Sequence, residues 1–325
     1  MKTDALKMDV AGEIDRIVST VRRQIFKILK RRGAVLGISG GIDSSVAAIL
    51  AVKALGKERV LGLLMPEEES SADSLRMGRL IADHLGLKTV LEDVTPILKA
   101  AGCYQRRDDA IRKVIPEYGP GYQCKIALPD FRRRDGYKIF SVVVRSPEGE
   151  EIRARLTAEA YLGIVAATNF KQRTRKMMEY HHADRLHYAV LGTTNRVEYD
   201  QGFFVKNGDG SADLYPIAHL YKTQVYQMAE YLGVPEEIRT RPPTTDTYSL
   251  QQSQEEFYFT MPYDKMDLCL HGKNHKIVEE DISAATGLAA DEIRRVYRDI
   301  ESTRRATRYL HLRSLFVEKI DEIEC

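Results

Sequence analysis

Ser39, Asp43, Ser44 and Ser45 crowd around the pair Gly40-Gly41. Hydroxyls on a glycine turn suit an anion, and the flanking residues supply the frame. Val35 to Ile38 is a short apolar run that reads as a buried strand, and Val46 to Leu55, rich in alanine, reads as a helix. A helix starting just after such a turn aims its unpaired N–H groups and the positive end of its dipole at the ligand. Glycines let phosphate oxygens come close to the backbone. Asp43 would repel a bare phosphate, and its position makes sense with a divalent cation between carboxylate and phosphates. The segment lacks the lysine of a Walker loop and is not a Gly-x-Gly-x-x-Gly turn.

The elements that must hold this loop follow from the rest of the chain. Ala11 to Lys30 has apolar residues at helical spacing, and Gly33 is expected to stop that helix. Val60 to Met65 and Lys88 to Leu91 read as further strands, with a helix over Ser74 to Leu85 between them. Strands alternating with helices predict an α/β fold, a doubly wound parallel sheet whose ligands sit at the carboxyl ends of its strands. Tyr188 to Thr193 is another strand on this reading, which puts Thr194-Asn195-Arg196 and Glu198 at the same edge. Residues 104–168 break the pattern and are expected to form an inserted α/β lobe. They hold a hairpin from Tyr137 to Val144 and Glu151 to Leu156, a helix from Thr157 to Ala167, and the basic run Arg132-Arg133-Arg134. A separate helix is expected over Phe170 to His187, another over Leu220 to Leu232, and a lid-like loop over Arg239 to Ser253. Asp281 to Lys319 reads as mostly helical.

With 325 residues, 43% hydrophobic and 30% charged, the chain can bury a sizeable core. A net charge of +2 gives no global field for nucleic acid. No apolar run is long enough to cross a bilayer, and the first residues lack the apolar core of a signal peptide. The cysteines are far apart, without Cys-x-x-Cys, and read as free thiols. A cytoplasmic enzyme is expected. The pairs His181-His182 and His271/His275 have metal-compatible spacing, but no nearby carboxylate supports them, and they read as surface residues.

The loop is similar to the Ser-Gly-Gly-x-Asp-Ser pyrophosphate loop of ATP pyrophosphatases, and several further segments narrow the resemblance. Met65-Pro66 with Ser70, Ser71 and Ser74, Asn169-Phe-Lys-Gln-Arg173-Thr-Arg175, and Gly192-Thr193-Thr194-Asn195-Arg196-Val197-Glu198 occur in order. Gly202-Phe-Phe-Val-Lys206 with Gly208-Asp209-Gly210 and Asp213, Leu220-Tyr-Lys222-Thr-Gln224, Pro243-Thr244-Thr245-Asp246 and Tyr263-Asp264 with Asp267 follow. Together they resemble the NAD synthase family, ammonia-dependent amide synthases of the ATP pyrophosphatase type. The resemblance implies one such domain over residues 1–325, interrupted by the lobe, with a helical C-terminal region. It implies that a carboxylate, that of nicotinic acid adenine dinucleotide, attacks the α-phosphorus of ATP, pyrophosphate leaves, and ammonia displaces AMP to give NAD. Ser39, Gly40, Gly41, Asp43, Ser44, Ser45, Thr193, Lys222 and Thr244 would bind ATP, with Asp43, Glu198 and Lys222 catalytic and Asp43 and Glu198 holding Mg²⁺. Arg173, Lys206, Asp213 and Asp246 would bind the acceptor.

Three departures stand out. The C-terminal His/Tyr-Lys-Arg segment is replaced by Ser302-Thr-Arg304-Arg305-Ala-Thr-Arg308, Met77-Gly78 replaces the usual Asp-Ala, and the lobe is larger than usual. An alternative is therefore an adenylating amide synthase of the same family with a different biosynthetic carboxylate. A tRNA-modifying pyrophosphatase would call for catalytic cysteines or a basic face, and an ATP sensor would not need both Asp43 and Glu198. Without a glutaminase-like region, ammonia is expected to come free or from a separate glutaminase. A homodimer, with no nucleic-acid or membrane partner, completes the expectation.

Overall fold

The computed structural model describes residues 3–127, 140–243, 247–250, 261–318 and 320. Helix α1 (Val10–Arg23) begins at Asp9, whose carboxylate accepts the Gly12 N–H, and it continues through a π-helical turn at Gln24–Ile28. The run ends at Lys30, in the left-handed region at φ 51°, ahead of the expected Gly33. Strand β1 (Ala34–Gly37) leads into α2 (Ile42–Leu55), β2 (Val60–Leu64), α3 (Ala72–Leu85) and β3 (Thr89–Leu91). After α4 (Thr95–Ala100) and α5 (Cys103–Arg112) come β4 (Gln123–Ala127), β5 (Ser141–Arg145) and β6 (Glu151–Arg155). Helix α6 (Ala158–Leu186), β7 (Ala189–Val190), α7 (Arg196–Gln201), α8 (Lys222–Tyr231), α9 (Glu236–Arg239), α10 (Tyr263–Asn274), α11 (Glu279–Thr286) and α12 (Ala290–His311) complete the order.

The main sheet is parallel with strand order β3-β2-β1-β7, and Leu191 bridges to Leu214 at its edge. Its core divides as period-2 alternation requires. Leu36 and Leu64 pack with α1, α2 and α8 on one face, while Val35, Leu61, Leu63 and Val190 pack with Leu98 and Ala183 on the other. Helix α2 is apolar around almost its whole circumference and is buried to match. The strand order turns back at β1/β7, and a doubly wound sheet opens its ligand crevice at the carboxyl ends of such a pair. Ser39 stands two residues beyond β1 and Thr193 three beyond β7.

A second, antiparallel sheet, β4-β5-β6, has its own apolar cluster with α5 and the first half of α6. Strand β4 was not expected; Gln123 is exposed, Cys124, Ile126 and Ala127 are buried, and Lys125 is half-buried. The helices expected separately over 157–167 and 170–187 are one, the 29-residue α6. Thr168 bonds back to Ile164 O at 2.9 Å, so its hydroxyl sits within the helix instead of ending it. The C-terminal region is helical up to His311, and Leu312 to Glu318 carry no regular structure. Within the expected loop, Ser249 and Leu250 dock on β4, the Cys124 N–H reaching Ser249 Oγ at 2.9 Å and the Leu250 N–H reaching Cys124 O at 3.1 Å. Thr244, Asp246 and the Arg132 to Arg134 run lie outside the described residues. Among the described residues, no helix is long and apolar enough to cross a membrane.

Candidate active site

The turn after β1 depends on one glycine conformation. Gly40 has φ 77°, and a Cβ there would lie 2.6 Å from Ser74 O and 2.8 Å from Gly78 N. Gly78 in turn admits Leu64, whose Cδ2 would lie 2.7 Å from an added Cβ. The Met77-Gly78 departure is thus a packing feature that brings α3 against the loop. Gly41 caps α2, and Ser44 and Ser45 donate to its carbonyl at 3.0 and 2.9 Å. Ser39 Oγ lies 3.1 Å from Ser44 Oγ and accepts the Gly41 N–H at 3.2 Å.

A cavity of about 610 Å³ opens over this turn. It is lined by Ser39, Gly40, Gly41, Asp43 and Ser44, by Thr193 and Glu198 beyond β7, and by Lys222. Ser45 is fully buried, its hydroxyl donating back to Gly41 O within the helix, and it does not line the cavity. Lys222, the first residue of α8, is 1% exposed and its ammonium donates to Asp43 Oδ2. It also lies 5.3 Å from the centre of the Tyr263 ring. Burial alone would lower the Lys222 pKa, but Asp43 and Glu198 outweigh it and hold it above its ordinary value.

Glu198 is positioned by a capping box. Asn195 Oδ1 accepts from the N–H groups of Val197 and Glu198 at 3.0 and 3.1 Å, and the Glu198 carboxylate accepts the Asn195 N–H at 3.2 Å. The same Asn195 donates through Nδ2 to Asp43 Oδ1 at 3.1 Å, tying the β7 turn to the β1 turn. Burial, and then the charge of Asp43, push Glu198 up to about 8. Two carboxylates that resist ionising together, beside an anion-binding turn, are a donor set that suits a hard divalent cation. Among the described residues no group of three or more His, Cys, Asp or Glu could hold a metal, so such a cation would need phosphate oxygens as well.

The expected acceptor residues stand elsewhere. Arg173 is exposed and donates to Lys206 O at 3.3 Å. Lys206 donates to Tyr309 O and Leu312 O at 2.9 and 3.0 Å, closing the end of α12, and lies over the Tyr309 ring. Asp213 accepts the Val190 N–H at 2.7 Å. None of the three lines the cavity. The cavity is lined as well by Gln172, by Thr303 and Thr307 of α12, and by Arg241, which reaches Ser74 Oγ at 3.2 Å. The Asn195-to-Glu198 spacing was the available signal for the capping box, whereas Gln172 and Arg241 were marked only by the segments that hold them, the Asn169 to Arg175 motif and the lid-like loop. Arg304, in the altered C-terminal segment, is forked onto Asp200 at 2.7 and 2.6 Å. His182 is buried and pairs with Glu92 at 2.7 Å, which corrects the surface reading, while His275 is exposed.

A smaller cavity of about 170 Å³ adjoins the turn, lined by Gly37, Ile38, Ser39, Leu64, Met65 and Thr193 among others. Lys176 and Glu179 pair at its back at 2.5 Å, and burial pushes both Glu179 and Asp209 upward.

The family profile described as NAD synthase matches residues 13–114 and 150–308. The chain is 58% identical over 321 residues to the NH(3)-dependent NAD(+) synthetase of Rhizobium meliloti (strain 1021), covering 99% of this chain and 96% of the relative. It is 35% identical to the protein of that name from Thermotoga maritima, over 82% of this chain and 89% of that one. Among solved structures, the NMN synthetase of Francisella tularensis superposes with a TM-score of 0.66 at 20% identity, covering 95% of this chain and 99% of that one. The NH3-dependent NAD synthetase of Campylobacter jejuni gives 0.62 at 20% identity, over 96% and 100%. At that identity both show a shared fold.

Proposed function

Because the chain belongs to the NAD synthase family, we infer that it is a ligase that forms a C–N bond from a carboxylate, ATP and ammonia. The carboxylate is that of nicotinic acid adenine dinucleotide, and the products are NAD, AMP and pyrophosphate. The observation that carries the reading is the meeting of Asp43, Asn195, Glu198 and Lys222 at the mouth of the Ser39 to Ser44 turn.

Attack on the α-phosphorus builds charge on the departing pyrophosphate, and groups placed in advance to receive it lower the barrier. The N-terminus of α2 and the hydroxyls of Ser39 and Ser44 supply fixed dipoles there, and Lys222 supplies a buried positive charge. Asp43 and Glu198 would hold Mg²⁺, which when bound neutralises phosphate charge. The smaller cavity, apolar along Ile38, Leu64 and Met65, suits the base of ATP. Thr244 and Asp246 belong to the same proposal as ATP and acceptor contacts. Arg173, Lys206 and Asp213 keep their expected acceptor role only where the acceptor reaches beyond the cavity. A homodimer, a cytoplasmic location and ammonia arriving free or from a separate glutaminase complete the reading, and sedimentation of the pure protein tests the dimer.

The test is an amide-forming assay with ATP, Mg²⁺ and ammonium against a panel of pyridine and other biosynthetic carboxylates. Nicotinic acid adenine dinucleotide should give AMP and NAD in equal amounts, and glutamine in place of ammonium should give none. Turnover confined to another carboxylate would move the acceptor assignment and leave the adenylation chemistry standing.

A further inference from the structure

One wall of the large cavity takes a residue from a part of the chain that the family profile skips. Residues 115–149 fall between its two matched stretches, and Phe140, from that gap, lines the cavity together with Tyr161, Val165, Thr168 and Tyr248. The rings of Phe140 and Tyr161 stack with centroids 4.3 Å apart and planes 20° from parallel. Both are half-buried, so the pair keeps surface toward the cavity. Tyr248 is 6% exposed and sits in the apolar cluster of the small sheet.

This wall is held in place before any ligand arrives. Tyr248 is flanked by Ser249 and Leu250, docked on β4, and by Thr247, whose carbonyl accepts from Lys171 Nζ at 2.8 Å. Its side chains carry no charge, whereas the part of the cavity around the phosphate turn carries Asp43, Glu198, Lys222 and Arg241. A recess charged in one part and aromatic in another fits a molecule with phosphates and a flat ring. With the base of ATP in the smaller cavity, the aromatic wall is left for the second substrate.

We propose that the stacked pair Phe140–Tyr161, backed by Tyr248, receives a heteroaromatic ring of the acceptor and sets which acceptor is used. The proposal rests on the adenylating reading above. Loss of the stack is expected to read as about tenfold in KM, which corresponds to about 1.4 kcal/mol.

The experiment uses the full chain. Wild-type turnover is measured first, with the dinucleotide acceptor and with the corresponding mononucleotide. Phe140→Leu and Tyr161→Leu are then expected to raise the acceptor KM about tenfold while the KM for ATP stays within about twofold. A rise for both acceptors places the pyridine ring on the pair, and a rise for the dinucleotide alone places its adenine there. Because the chain has no tryptophan, Phe140→Trp puts a single indole in the wall without removing aromatic surface. Its emission should be quenched by the acceptor alone and left unchanged by a non-hydrolysable ATP analogue. Absence of wild-type turnover on every pyridine nucleotide would sink the functional reading. Wild-type turnover, with acceptor KM unmoved in the leucine variants and indole emission unmoved by acceptor, overturns this inference by itself.

Discussion

The ammonium of Lys222 is enclosed with the carboxylate of Asp43, and both feel Glu198. A buried charge of this kind is stable only because its partners are in place, and removing one member changes the protonation of the others. Replacing a carboxylate by its amide keeps size and hydrogen-bonding while deleting charge. Asp43→Asn and Glu198→Gln are therefore expected to lower AMP formation by about two orders of magnitude or more, with far-UV circular dichroism unchanged. Wild-type rates in either variant would take that residue out of the chemistry. At this scale the sequence was most informative where chemistry needs a fixed spacing. Ser39 to Ser44, Glu198 and Lys222 do converge, although neither the burial of Lys222 nor the Asn195 link to Asp43 could be read from spacing. Arg173, Lys206 and Asp213, motif positions as well, stand outside this cavity and bond within the chain.

Helix α8 owes its position to α10. Asp267, fully buried, accepts the Thr223 N–H at 2.7 Å and so caps the helix whose first residue is Lys222, while Tyr263 lies beside the same ammonium. Burial pushes Asp267 up to about 6 from an ordinary 3.8, against the Thr223 N–H that favours its charged form. Below both values the group is protonated in the folded and unfolded chain alike, and its contribution is fully present. Between them the unfolded chain ionises first, so stability is lost as pH rises through about 6, by roughly 2–3 kcal/mol in total. Asp267→Asn removes this titration. The stability of wild type relative to Asp267→Asn, from urea melts, should therefore increase on going from pH 7 to pH 4, and a pH-independent difference would contradict the assignment. Strands β1, β2 and β3 were legible because apolar runs of strand length between turns leave few alternatives. Helix α10 and strand β4 were not, because their burial arises from distant partners such as Leu6 and Val197 for α10 and Leu250 for β4.

Across the whole molecule, the two sheets are joined through a buried ionic cluster. Lys171 of α6, 1% exposed, donates to Glu67 at 2.9 Å and Glu69 at 2.7 Å in the segment after β2, and to Thr247 O. Arg107 of α5 pairs with Glu69, and Tyr104 OH donates to Glu67 at 2.7 Å. Deleting one partner leaves buried charge uncompensated, at a cost of about 3–5 kcal/mol. Lys171→Met should lower the melting temperature and speed amide hydrogen exchange at residues 247–250. An unchanged melting temperature would mean that the cluster does not join the sheets energetically. This long-range coupling was illegible in the sequence, because the glutamates lie about a hundred positions from their lysine.

The 29-residue α6 runs from the small sheet to the main one as one rod of about 43 Å. Its stiffness fixes where anything mounted on its first turns will stand. Strands β4 and β5, from the stretch between the two parts of the family match, pack on its first half and ride as a head on that stem. With the acceptor read by that head, changes there retune which molecule is admitted without disturbing the turn where the bond to phosphorus is made. A designer can put that division of labour to work by exchanging the head alone and keeping the stem and the phosphate turn.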